Sequence, residues 1–517
     1  MKILKSVAFL ILLLLLVISC KKNDGQLSTQ TEDRIAFDST QVGAFLTKYP
    51  EFKTFRTQYA ELYQKHRYQH IWYDKDGRID FAEVLYNRVN QIGADGVPVK
   101  LPYQSQIAQI FEDNDKASID NELLISGMYF FYAKNVYAGV DPKKSKSTGW
   151  FLPRDKMDYV AYLDTLLRDP DKIKDDTSEN IGQYYHLKKA LQRYRDIRDK
   201  GGWPPIDFPK DLKMLQPGDN HPAIAQVRKR LAASGEIDSD SGSTTYDSTL
   251  ENAIAAYRKR NNILGAHITP MLVEHMNVPV EARIKTITVN MERCRWISPD
   301  IAESKELIAV NIPAYQLRYF REGSPILESN VVVGKEANKT VVFSGQMSYL
   351  VFSPYWNIPK SIVEKEIKPD MAKDPDYLTK HNMEWNGKNL RQKPGKDNSL
   401  GLIKFMFPNS NNIYLHDTPA KNLFGKDDRA QSHGCVRVEK ARELAIKILD
   451  SDKNWNPQKI DEAMNAGKEK QYTLNHKIPV YIAYFTAWAD QNGIAAFYPD
   501  VYQRDGRLAH LLYNESK

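Results

Sequence analysis

At 517 residues the chain has room for about three domains of ordinary size. Its 72 basic and 65 acidic residues leave a net charge of +7, with the lysines and arginines scattered among acids; that excludes the concentrated basic footprint of a nucleic-acid binder. A hydrophobic content of 42% is enough for ordinary globular cores, and the weakly basic balance suits a carboxylate-rich partner such as a cell wall but is equally common in proteins with no such partner.

Lys2 and Lys5 precede an almost unbroken apolar run, Val7 to Ile18, that is too short for a permanent spanning helix. The run ends Val17-Ile18-Ser19-Cys20, which resembles the bacterial lipobox. That resemblance implies a lipoprotein signal peptide over 1–20 and a lipidated Cys20 as the first mature residue. Residues 21–40 are polar and read as a flexible tether. The expected location is the cell envelope, with the protein held to a membrane by its acyl chains and its domains facing the periplasm.

Residues 41–210 read as a helical domain. Phe45, Tyr49, Phe52, Phe55 and Tyr59 recur at spacings of three and four, which predicts one buried helix face. Further helical runs cover about 81–92, 120–138 and 185–199, and Gly201-Gly202-Trp203-Pro204-Pro205 ends the pattern. Residues 211–280 form a second unit. Ile224, Val227 and Leu231 mark one amphipathic helix, and Leu250, Ile254 and Tyr257 a second; a short helix over Thr269–His275 follows. This small three-helix bundle resembles a peptidoglycan-binding domain. Tyr257-Arg258 and Ala266-His267 stand where that family often carries Phe-Gln and Asp-Gly, so the resemblance implies the bundle rather than glycan binding.

From about residue 300 the apolar period becomes two. Strands are predicted at 307–312, 315–320, 326–333, 341–343, 348–352, 403–407, 413–415 and 480–484, with one helix over 439–450. The fold class is therefore multidomain α+β: a helical domain, the small bundle, and a β-rich domain over 300–487 followed by an extension over 488–517. A charged, proline-punctuated insertion at 360–400, with Trp356 and Trp385 nearby, is expected to be a lid.

The chemistry concentrates in the β-rich domain. Ile413-Tyr414-Leu415-His416-Asp417 is followed by Ser432-His433-Gly434-Cys435-Val436-Arg437. A thiolate is the reactive form of cysteine, and a nearby imidazole can take its proton and later return it to a leaving group. Gly434 removes a side chain just before the sulfur, so backbone amides can approach a developing oxyanion. Asp417 follows His416 directly, and adjacent strand side chains point to opposite faces, so a backbone carbonyl is as good a candidate for orienting the imidazole. Tyr414 shares the His416 face. Cys294 is expected to be a small buried hydrophobe, since a bridge from it to Cys435 would silence the thiol.

His416, fifteen residues and then Ser-His-Gly-Cys is similar to the signature of the YkuD-type L,D-transpeptidases. Tyr-Leu-His-Asp-Thr-Pro, Ser-His-Gly-Cys-Val-Arg-Val and Lys404-Phe405-Met406-Phe407-Pro408-Asn409 resemble the large YcbB-type branch. Trp72-Tyr73-Asp74 and Gly201-Gly202-Trp203-Pro204 resemble that branch's scaffold domain. The resemblance implies that Cys435 attacks the third-residue carbonyl of a peptidoglycan tetrapeptide stem. D-alanine leaves, and the amine of a neighbouring stem resolves the thioester into a 3→3 cross-link. His416 would be the base and then the acid. Amides of His433, Gly434 and Cys435 would hold the oxyanion, with Ser432 and His433 shaping the turn. Arg437, Tyr414 and Trp356 are the candidate substrate contacts, Arg437 either on a substrate carboxylate or on a local acid. No cofactor or metal is implied, and the expected partners are stem peptides and a membrane rather than nucleic acid.

Rival chemistries share the same residues. His416, His433 and Cys435 form a possible metal set, but no metal-style spacing accompanies them. Water in place of the amine gives an L,D-carboxypeptidase, and a protein lysine gives an anchoring enzyme. A lipid-tethered wall-binding protein with a decayed catalytic domain is the non-enzymatic alternative.

Overall fold

Pro50 breaks what the aromatic spacing reads as a single helix. In the computed structural model, which describes residues 35–112, 117–152, 154, 157–173, 180–301 and 304–514, that stretch is three pieces. They are a helix Thr40–Lys48, a 3-10 turn Pro50–Phe55 and a helix Arg56–Lys65. Proline lacks the amide that would continue the first helix, yet it starts the next turn without loss. All five aromatic side chains are still buried, so the spacing located the core face while missing the break. The segment expected to be a signal peptide, Cys20 and most of the expected tether lie outside the described residues.

The described chain divides into two compact units. The first comprises the residues up to Tyr86 together with Pro102–Phe130; the second comprises Asn87–Leu101 and everything from Phe131 onward. The division does not follow a boundary at 210. In the first unit the fully buried Glu122 accepts bonds from the Tyr63 hydroxyl at 2.8 Å, the Ile71 amide at 2.8 Å and the Trp72 amide at 3.1 Å. A buried carboxylate needs such donors, and these pin the Trp72-Tyr73-Asp74 stretch to the helix Ile119–Ala133.

In the second unit the helix Gly182–Asp199 packs through Tyr184, Leu187, Leu191 and Tyr194 into the same core as the helix Val280–Cys294. The small bundle is built from Pro222–Ser234, Ser248–Asn261 and Pro270–Asn277. Its helices are capped by His221, Asp247 and Thr269, each accepting from an amide of the first turn. The predicted faces at Ile224, Val227, Leu231, Leu250, Ile254 and Tyr257 form its core.

Nine strands make the main sheet: β1 (Glu306–Asn311), β2 (Gln316–Arg321), β3 (Ser324–Gly334), β4 (Phe343–Phe352), β5 (Ile403–Met406), β6 (Leu415–His416), β7 (Ala430–Ser432), β8 (Val436–Val438) and β9 (Lys470–Ala483). Their order is β7-β3-β8-β6-β5-β4-β9-β1-β2, and β2 pairs again with β3, so the sheet closes on itself. Phe343 and the segment 348–352 belong to one strand, which begins at Phe343 rather than 341, with Gly345 paired to Val480 inside it. The insertion between β4 and β5 has its own small sheet, Trp356–Asn357, Asn389–Gln392 and Met383–Asn386, and its own apolar cluster of Ile358, Ile362, Val363, Ile367 and Leu390. The segment expected as an extension is built into the main core through Ala495, Phe497, Tyr502 and Leu508. Among the described residues no helix is long and apolar enough to cross a membrane.

Candidate active site

β6 ends at His416, and β8 begins one residue after Cys435. The two strands run parallel, with Leu415 opposite Val436 and His416 opposite Arg437. The Val436 amide donates to the Tyr414 carbonyl at 3.2 Å, which carries the pairing back to Tyr414 and Cys435. Side chains alternate along a strand and cross-strand neighbours share a face, so Tyr414, His416, Cys435 and Arg437 all belong to one face. Leu415, Val436 and Val438 take the other and are fully buried. A one-residue slip of register would exchange the reactive face for the core face.

His416 is only 4% exposed. Its Nδ1 lies 2.5 Å from the Asp417 carbonyl oxygen. A carbonyl can only accept, so Nδ1 carries the proton and Nε2 keeps its lone pair. Burial, and then the charge of Arg437, pull the imidazole down to about 4. It is therefore neutral, and basic at Nε2, across the physiological range. The Asp417 carboxylate turns elsewhere: it accepts from Lys421 Nζ at 2.6 Å and from the Leu402 amide at 3.0 Å.

Burial pushes the Cys435 thiol up, against smaller opposing effects from the Tyr414 amide and side chain and from Arg437. Its S–H donates to the Asn412 carbonyl at 3.7 Å rather than to the imidazole. The Tyr414 ring sits 5.7 Å from the imidazole ring, and burial raises its phenol. Proton transfer thus starts from a neutral thiol and a neutral imidazole on one face, and the sulfur must leave Asn412 to make it.

The turn before Cys435 is braced from below. Gly434 has φ +120°, open to glycine at little cost. Ser432 Oγ donates to the Cys435 carbonyl at 2.5 Å and accepts from the Gly434 amide at 3.1 Å. The Gly434 amide, expected to face an oxyanion, is thereby occupied. The amides of His433 and Cys435 have no partner among the described residues. Buried Thr340 donates its hydroxyl to the Gly434 carbonyl at 2.8 Å and accepts from the Gly334 amide at 2.8 Å. The Tyr502 hydroxyl donates to the Gly334 carbonyl at 2.6 Å and accepts from the Thr340 amide at 3.1 Å. A Cβ on Gly334 would overlap the Asn338 carbonyl and lie 3.0 Å from the Gly434 Cα, so two glycine backbones meet here.

Arg437 pairs with no acid among the described residues, and its Nε is buried without a hydrogen bond. His433 points away from Cys435's neighbours on the sheet to the insertion, where its Nε2 lies 2.9 Å from Glu366 Oε1. Trp356 packs against the insertion's cluster. Cys294 is a free, fully buried thiol whose pKa burial raises, and it makes no bridge to Cys435.

Residues 305–464 match the family of L,D-transpeptidase catalytic domains, and residues 57–191 match the Scaffold domain family. Over residues 305–464 the β-rich part of the chain is thus similar to a YkuD-type L,D-transpeptidase catalytic domain. A "Putative L,D-transpeptidase" of Haemophilus influenzae is 36% identical to the chain over 243 residues, which is 43% of this chain and 48% of that protein. The chain thus spans about half the length of the curated relative it matches. Solved L,D-transpeptidases from Stackebrandtia nassauensis and Mycobacterium smegmatis are 14% and 12% identical, with TM-scores of 0.22 and 0.20. The first alignment covers 54% of this chain and 96% of that one, the second 35% and 58%; at such scores neither overlay adds to the assignment.

Within the β-rich part of the chain, sequence reasoning missed Thr340, Tyr502, Asn412 and Glu366. The first three act through hydroxyls or a carbonyl whose partners are remote in sequence, so no spacing announces them. Glu366 was one acid among many charges of the insertion.

Proposed function

We propose that the chain is a peptidoglycan L,D-transpeptidase working through a Cys435 thioester. The observation that supports this best is the parallel register that sets Cys435 and His416 on one face, with Nε2 of a neutral imidazole unprotonated. In the first half-reaction Sγ loses its proton to His416 Nε2 and bonds to the third-residue carbonyl carbon of a donor stem. The free amides of His433 and Cys435 receive the oxyanion; losing one such donor typically costs about 3 kcal/mol. The C–N bond to D-alanine breaks, the leaving amine takes the proton from His416, and a thioester remains. In the second half an acceptor amine attacks the thioester, gives up its proton, and the Cys435 thiolate leaves and is reprotonated. The thioester conserves the acyl bond's energy, so the exchange requires no nucleotide. Arg437, without an acid of its own, is the group to hold a stem carboxylate through a bidentate contact, with Tyr414 lining the floor and the 360–400 insertion, rooted at Trp356, covering the cleft. Lipidation at Cys20 would place this reaction at the envelope surface facing the wall.

The test uses purified disaccharide tetrapeptides and mass spectrometry. Dimers with 3→3 links are expected; trimmed monomers alone would make the enzyme a carboxypeptidase. A carbapenem should add a covalent mass to wild type and none to Cys435→Ala. Unlabelled wild type at neutral pH would favour a binding module.

A further inference from the structure

Five of the insertion's acids make ion pairs among the described residues, and their partners differ in kind. Glu364 pairs with Lys368 at 2.8 Å, Asp370 with Lys373 at 3.2 Å, Asp374 with Lys380 at 2.8 Å and Glu384 with Arg391 at 2.7 Å. These four are neutralised by permanent cations of the insertion itself. Glu366 is not: its Oε1 reaches out of the insertion to His433 Nε2 at 2.9 Å. A histidine, unlike lysine or arginine, supplies no permanent charge. The Glu366 side chain is also half exposed, so it is open to a ligand.

Its position is set by packing. The backbone over Val363–Ile367 takes a π-helical turn, a form often found at functional sites. Val363 and Ile367 on either side are buried in the insertion's cluster, which leaves Glu366 outward. The carboxylate therefore meets the chain two residues before the nucleophile, while Arg437 lies two residues after it with no acid partner among the described residues. The thiol is bracketed by an uncompensated anion on the insertion and an uncompensated cation on the sheet.

We propose that Glu366, shared with His433, is the acceptor subsite: it binds the ammonium group of the incoming stem. The proposal rests on the transpeptidase reading above and adds to it which side of the cleft the acceptor uses. A diamino acid brings both an ammonium and a carboxylate, and the two charges that flank Cys435 are complementary to such a group. The role is one of binding: Glu366 makes and breaks no bond, the held ammonium loses one proton to solvent before the neutral amine attacks the thioester, and its second proton passes through His416 to the departing thiolate. It also supplies a reason for the enzyme to prefer an amine over water, since a carboxylate concentrates a cation beside the thioester and does nothing for a neutral nucleophile.

The experiment separates the two half-reactions in the full-length protein. Glu366→Gln and Glu366→Lys are compared with wild type for carbapenem acylation rate, which reads the donor half and the integrity of the fold. They are then compared for KM of the acceptor stem and for the ratio of dimer to hydrolysed monomer. The expected result is unchanged acylation, an acceptor KM raised about tenfold in Glu366→Gln and more in Glu366→Lys, a fall in dimer against monomer, and rescue by Glu366→Asp. Equal loss of acylation and cross-linking would make Glu366 a latch for the insertion and overturn the subsite. Unchanged acceptor KM would overturn it as well, with the transpeptidase reading intact. Wild type that takes up no carbapenem would instead refute the function itself, and the subsite with it.

Discussion

Acidification tests the neutral imidazole directly. His416 is pulled from the ordinary histidine value of 6.5 down to about 4, first by burial and second by Arg437. That difference corresponds to about 3 kcal/mol favouring the uncharged ring. A base must be unprotonated to accept the thiol proton, so activity survives at acid pH for as long as the ring stays neutral. At pH 5 an imidazole at its ordinary value would be about 3% neutral, whereas one at about 4 would be about 90% neutral. The rate of carbapenem acylation, measured from pH 3.5 to 8 (a range of about five units around the reference value), should therefore stay nearly level to pH 5 and halve near pH 4. Arg437→Met removes the second cause and leaves the first. The half-point should move upward yet remain below that of an exposed histidine, whatever happens to the amplitude through lost carboxylate binding. Half-maximal acylation of wild type near about pH 6.5 would mean that the ring is solvated or is not the base, and the reasoning from burial would fail.

Other consequences can be measured separately. Because burial raises the Cys435 thiol, alkylation by the neutral reagent iodoacetamide should climb only above the ordinary thiol range and be absent in Cys435→Ala; a plateau at neutral pH would indicate a preformed thiolate. Thr340→Val keeps the shape but leaves the Gly334 amide and Gly434 carbonyl unpaired, which should cost about 1–3 kcal/mol of stability in thermal denaturation and slow acylation; wild-type values for both would show that the brace is dispensable. Deleting 370–395 removes much of a segment with its own apolar cluster, so turnover should fall far more than the melting temperature of the main core; equal loss of both would refute a lid.

The strands that carry the site were legible because their apolar period reflects a core that fills one face of a closed sheet. The motif residues were legible because thiol and imidazole chemistry requires those residue types. Apart from the exposed Glu366 and Asn412, what escaped notice was polar and buried. The helix Val280–Cys294 hides Arg283, Asn290, Glu292 and Arg293 in the interior, residue types that no apolar period marks as buried. Glu292 accepts from Trp296 Nε1 at 2.8 Å and pairs with Arg295 at 2.9 Å, whereas Arg293 finds its acid, Asp505, at 2.7 Å from the far end of the sequence. Alternation alone sets the Asp417 side chain apart from His416, and its carboxylate turns to Lys421 and Leu402.

The same alternation explains why so short a pair of strands can carry a reactive site. β6 and β8 contribute two and three residues, yet their pairing fixes the relative position of four side chains at once. The cost is that register depends on the turn between β7 and β8 holding its shape. Thr340 and Tyr502, from opposite ends of the β-rich unit's sequence, clamp that turn through the Gly334–Gly434 contact. The C-terminal segment is thus a working part of the nucleophile's support. Truncation before Tyr502 should release the turn and lower acylation even where the sheet itself stays folded. Full acylation by such a truncated chain, judged against the circular-dichroism signal of the intact protein, would show that Thr340 holds the turn alone.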